Sequence, residues 1–410
     1  MMPNALTKDL EIMFENLIEG FDAACVMSRA VETSYPDSTS MQRSNDVFYR
    51  PQNYRTSIVT GVDISGQNDT DILQRQVPTV FRTPDNVRYS LNFLENRDPI
   101  HLERMGKSAA IDLAANIEAN LLSTVALQGA IVVKKVGALT WDDGATAEAL
   151  MLSRGVPAGR ARKMFLNPFD FKDVAKDLGN RAYIGDLAKD AYIRSQVPNI
   201  ATFETFRTDS LYNLAAVGTV TSTIVSGNQS FTPTAMTGDL PTDNRRMTLT
   251  VSGANIANTK NGDSFTIQGV NAVHNIDKTD TGQLMTFRIV SGGGTASLVI
   301  TPAIIITGPY KNCSAQAGNN APLTFLNTVT KPVNAFFADG AVTLDFGDIS
   351  VFNDKGGVTW MKARTKQGVP IAMGYEQNMM KGTVSIRCVT RYATTVLDPE
   401  MTGVIIANQT

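Results

Sequence analysis

Apolar residues recur every three or four positions in two long stretches of this chain. Between 96 and 128 the stripe is Leu102, Met105, Ala109, Leu113, Ile117 and Leu121, the spacing of an amphipathic helix. Asp98 can cap its start, Pro99 suits a first helical position, and Gly129 follows as a stop. The pattern predicts a rod of roughly 30 residues, about 45 Å long. Ile111 and Leu122 fall off the stripe, so the rod is expected to pack on more than one side, as a beam. The second stretch covers 5–28, where Leu10, Met13, Phe14, Leu17, Ile18 and Phe21 share one face. Beside them Glu11, Glu15, Glu19 and Asp22 form a row whose like charges repel by about 0.2–0.5 kcal/mol per i, i+4 pair. Two readings fit that row: a solvated face, or a docking strip for a basic amphipathic partner.

Helical periodicity is absent from 34 to 96. Val47-Phe48-Tyr49 and Ile58-Val59 are short strand-like runs, punctuated by Gly61 and Gly66 and broken by Pro51, Pro78 and Pro84. So long an irregular stretch is unusual inside a compact domain. It predicts an extended arm that finds partners on another subunit. After the long helix, strands are expected at 130–136 and 164–166. Helices are expected at 143–153, from Asn167-Pro168 to Gly179, and at 186–194. From 218 to about 330 short β-branched runs alternate with turn signals. The runs are 223–226, 247–251, 264–267, 284–290 and 297–301; the turns are Asn261-Gly262 and Ser291-Gly292-Gly293-Gly294. That spacing predicts a small barrel or sandwich, set into an α+β domain at a loop that tolerates insertion. Strands resume at 342–346 and 383–389.

The 410 residues exceed what one core usually fills. Apolar residues make up 43% and charged residues 19%, and 37 basic side chains face 39 acidic ones. Such a balance gives no field for steering onto nucleic acid or an acidic membrane. Three distant cysteines, Cys25, Cys313 and Cys388, predict neither a disulfide framework nor a zinc site. Acidic residues interrupt the start of the chain, and no run of about 18 apolar residues occurs, so neither a secretory signal nor a membrane span is expected. Gly106-Lys107-Ser108 resembles the end of a phosphate-binding loop. His101 stands where that motif needs glycine, and the tripeptide lies within the helix. Only His101 and His274 exist, without a catalytic motif around them. No catalytic residue, cofactor or metal is expected.

Several collinear pieces then match one family. They are Ser40-Met41-Gln42-Arg43-Ser44; Phe165-Leu166-Asn167-Pro168 with Asp170 and Lys172; Gln196-Val197; Ile224-Val225-Ser226-Gly227 with Gln229-Ser230-Phe231 and Pro233; Arg391-Tyr392; and Pro399-Glu400 with Gly403-Val404. On these the chain resembles the major capsid (coat) protein of short-tailed bacteriophages, the group whose coat carries an inserted β domain. The resemblance implies the tailed-phage capsid fold, an α+β architecture with spine helix, peripheral and axial domains, extended loop and inserted β-barrel. It places an N-terminal arm at 1–35, loop and peripheral strands at 36–96 and the spine at 97–129. The axial domain would be 130–216, the inserted barrel 217–335 and the C-terminal axial/peripheral segment 336–410.

The resemblance also implies partners. The chain would self-assemble as pentamers and hexamers of an icosahedral shell in the bacterial cytoplasm, with a scaffolding protein and a portal, enclosing double-stranded DNA without sequence-specific binding. Glu11, Glu15 and Glu19 would receive the scaffolding protein. The loop Thr234 to Arg246, with Asp239, Asp243, Arg245 and Arg246, would meet a neighbour across local two-fold axes. Charges of both signs in one loop suit such an isologous contact. Reversing Asp239 and Asp243 is therefore expected to weaken shells more than monomers. The alternative is a surface-binding module whose β domain recognises carbohydrate. Its aromatics (Phe231, Phe265, Phe287, Tyr310 and Phe325, with no Trp) sit mostly at strand-like positions, which favours core packing.

Overall fold

The computed structural model describes residues 5–35, 47–56, 60–63, 65, 73–92, 95, 98–180, 197, 199–347, 349 and 358–410. The strand-like run at 58–59, the helix expected at 186–194 and the 40–44 motif lie outside them. The chain divides into two units: Met1–Phe48, Thr79–Leu121 and Thr343–Thr395 form the first, and Tyr49–Pro78, Leu122–Val342 and Val396–Thr410 the second.

Helix α1, Ala5–Ala24, lies in the first unit and ends before the expected residue 28; helix α2 is Pro99–Gln128, with its residues up to Leu121 in the first unit. The α2 start follows its sequence signals: Asp98 Oδ1 accepts the Ile100 N–H at 3.0 Å. Leu102, Ala109, Leu113, Ile117 and Leu121 are buried. Where α1 crosses α2, a Cβ on Gly106 would lie 2.4 Å from the Met13 carbonyl oxygen. Gly106-Lys107-Ser108 is thus a helix contact. Gly106→Leu is expected to separate the two helices and cost about 1–3 kcal/mol, as overpacking does, measured by denaturant unfolding.

Beyond α1 the chain turns, and Glu118 of α2 accepts the N–H groups of Val26, Met27 and Ser28 at 3.3, 2.7 and 2.8 Å. Three backbone donors satisfy this buried carboxylate. By length and composition alone α2 is long and apolar enough to cross a bilayer. Its apolar stripe is instead core, and Glu118 lies within it. An antiparallel sheet in the order Val358–Arg364, Pro370–Asn378, Thr383–Thr390, Asp85–Asn92 completes most of this unit. Val384, Ile386 and Cys388 are buried while Arg387 is exposed, the two-residue alternation of a strand with one covered face. Glu32–Ser34 pairs in parallel with Val342–Phe346, which neighbours Tyr392–Val396.

Two six-stranded sheets dominate the second unit. One runs Ile131–Lys134, Thr402–Ile406, Lys331–Ala338, Arg162–Leu166, Phe203–Arg207, with Asn213–Leu214 beside Lys331–Ala338. Its outer pairs are parallel and its inner pairs antiparallel. Helix α3, Trp141–Ser153, opens with a reciprocal Thr140–Asp143 capping box, and helix α4, Pro168–Asn180, with Asn167 Oδ1 accepting the Phe169 and Asp170 N–H groups. The other sheet is antiparallel in the order Leu323–Phe325, Ser264–Val273, Asp280–Ser291, Ser297–Thr301, Met247–Ala254, Thr221–Val225. A bridge from Ile224 to Pro322 brings its first and last strands together, so it nearly closes into a barrel. Val225, Leu249, Phe265, Phe287, Ile289 and Leu298 fill it.

Candidate assembly surfaces

Because α1 buries Leu10, Met13, Phe14, Leu17 and Phe21, its orientation is fixed, and Glu11, Glu15 and Glu19 are all exposed in one row. The 3.6-residue spacing that aligns the apolar face also aligns the acids.

The 234–246 loop is braced by its own side chains. Met236–Thr237 pairs with Leu240–Pro241 as a short ribbon. Asn244 closes its base, accepting from the Thr234 N–H at 3.0 Å and donating to the Thr234 carbonyl at 2.8 Å. Asp243 accepts from Arg245 Nε at 2.8 Å and Nη2 at 2.7 Å, and Arg245 also donates to the Val396 carbonyl. Arg245 is only 4% exposed. Arg246 Nε lies 3.6 Å from the same carboxylate. Burial alone would raise the Asp243 carboxyl; Arg245 and Arg246 overturn that and hold it below the usual range. The structure thus brings Asp243, Arg245 and Arg246 together in an internal cluster and leaves Asp239 apart, exposed at the ribbon tip. Beside Asp239 stand Met236 and Leu240, 56% and 64% exposed. These two apolar residues were missed, although apolar side chains flanking a Gly-Asp turn were a legible signal.

The base of the 49–78 segment is tied to its own chain. Gln52 N–H donates to the Arg75 carbonyl at 2.9 Å, joining the two arms. Arg55 reaches Glu400 at 3.0 Å, Asp398 at 3.5 Å and Asn275 Oδ1 at 2.8 Å. Arg75 stacks over the Tyr310 ring at 4.7 Å, and the Tyr310 hydroxyl donates to the Leu73 carbonyl at 2.9 Å. Burial would raise the Glu400 carboxyl, but Arg55, the Asn312 amide and Arg75 hold it at about 2. That depressed value contributes stability above the ordinary glutamate range, lost as pH falls from about 4.5 towards 2.

No three His, Cys, Asp or Glu side chains gather as a metal site among the described residues. Cys25, Cys313 and Cys388 are buried and unbridged, and burial pushes the Cys388 thiol up to about 12.

The profile of the family described as "P22 coat protein - gene protein 5" matches residues 2–407. The chain belongs to the P22 coat protein family. As a coat protein it is a component of the virion capsid. Among solved structures it is similar to the mature capsid of bacteriophage PhiM1, at 8% identity over 93% of this chain and 87% of that one, with a TM-score of 0.47. The capsid of cyanophage P-SCSP1u matches at 11% identity over 94% and 89%, with a TM-score of 0.46. The I-domain of the CUS-3 coat protein is 36% identical over 27% of this coat protein and 99% of that chain, with a TM-score of 0.23.

Proposed function

We propose that this major capsid protein builds its icosahedral shell with a scaffolding protein, around double-stranded DNA, and that its role is structural and not catalytic. The whole-chain family match carries this reading. Under it, the segments divide as arm 1–35, loop and peripheral strands 36–96, spine 97–129, axial domain 130–216, inserted barrel 217–335 and C-terminal segment 336–410. The spine would be a rigid beam within each copy, and one vertex would admit the portal.

The exposed row Glu11, Glu15 and Glu19 supports scaffold docking on α1. A basic amphipathic helix laid there would relieve the repulsion within the row. The 234–246 ribbon would meet its two-fold copy through Asp239, Met236 and Leu240, with Asp243, Arg245 and Arg246 holding the ribbon in shape. The tip of the 49–78 loop would reach a neighbouring copy.

Glu15→Lys with Glu19→Lys is expected to reduce the yield of closed shells on co-expression with the scaffolding protein by about tenfold or more, since it reverses two charges in a steered contact. Monomer circular dichroism should stay unchanged. Shells sedimenting in wild-type amount would show the row to be a solvated face only.

A further inference from the structure

Around Glu400, among the described residues of the second unit, cations outnumber acids. Arg55 and Arg75 come from the 49–78 loop, Arg154 from the end of α3, and Lys278 from the barrel turn; the acids are Asp398 and Glu400. Asn312 donates to Glu400 at 2.7 Å, and Lys278 to the Lys311 carbonyl at 3.4 Å. Arg75 Nε and Arg154 Nη1 are buried with no hydrogen-bond partner among the described residues. Such a cluster is a poor source of stability, because apolar side chains would fill the same space without the desolvation cost. It does impose direction. A guanidinium shared by two carboxylates and an amide accepts few geometries, and both arginines that reach in from the loop stand at its base.

We infer that Arg55, clamped by Asp398 and Glu400, is a positioning residue that aims the 49–78 loop in the free chain, so that each copy joins the shell with this segment already oriented. The distal stretch 57–72 carries Asp63, Asp69 and Asp71 and no basic residue. Leu73, the Tyr310 bond and Arg55 fasten the base of the loop. Fixing the base before assembly removes part of the ordering entropy from the association step. The inference rests on the proposal that the loop tip meets a neighbouring copy.

The test uses full-length Arg55→Met, Arg55→Lys and a chain with 60–68 replaced by a Gly/Ser linker of equal length, each with the scaffolding protein. Trypsin cleavage after Arg75 in the monomer reports the clamp; light scattering reports assembly. Arg55→Met should be cut at least about tenfold faster, since one partner of a buried pair is gone. It should assemble correspondingly more slowly, with the main melting transition within a few degrees of wild type. Arg55→Lys, which keeps the charge, should recover part of both. Unchanged cleavage in Arg55→Met would overturn the clamp, and faster cleavage with normal assembly would overturn its positioning role. If Arg55→Met loses its fold, Arg55→Lys carries the test by the same two readouts. The linker chain separates the underlying reading: if it assembles normally, the loop tip has no neighbour to meet, whatever the clamp does.

Discussion

Asp243→Lys unfolds the coat protein more readily by about 3–5 kcal/mol, the cost of stripping the partner from a buried charge. Arg245 would remain buried with its Nε and Nη2 donors facing a second cation, and among the described residues the Val396 carbonyl alone would still accept from its side chain. Asp239→Lys changes monomer stability by less than about 0.5 kcal/mol, because the side chain is exposed and outside the cluster. Urea unfolding of the two variants measures the difference. Shell yield then tests the ribbon as an interface, since only Asp239→Lys leaves the fold intact. A combined reversal would confound the two effects. Equal midpoints for both variants would contradict the internal role of the Asp243–Arg245 pair.

Glu118→Ala has the second large effect. The side chain gathers three backbone N–H groups after α1, and the turn at Met27 and Ser28 is buried. Each buried donor left without an acceptor costs about 1–3 kcal/mol, so a loss of about 2–6 kcal/mol is expected. Opening is expected to begin at that turn. Cys25, 2% exposed, should then react with a thiol reagent much faster while Cys313 and Cys388 stay protected. Uniform reactivity of all three thiols would point to global unfolding instead.

Local periodicity made much of the fold legible. The α2 stripe, its Asp98-Pro99 start and the acidic row of α1 follow from side-chain spacing along one element. The barrel strands were legible because Thr, Val and Ile runs alternate with Gly turns; Ser297–Thr301 was read to the residue. Other strands were hidden by burial on both faces. Lys331–Ala338 reads as neither strand nor helix, because Pro332 and Asn334 interrupt it. Asn334 is there to bond Asn167 and Asp170 across the sheet. Thr402–Ile406 and Tyr392–Val396 are short and nearly wholly buried, so they carry no alternation. Long-range charge partners were beyond reach in the same way. Arg55 and Glu400 are 345 positions apart, and nothing local marks either as a clamp. The charges of 234–246 were seen, but their burial was not, and burial decides whether a charge serves the fold or a neighbour.

Electron microscopy of the chain expressed with its scaffolding protein tests the central claim most directly. The account predicts closed, uniform icosahedral particles whose walls are built from this chain; monomers or irregular aggregates at every concentration would contradict it.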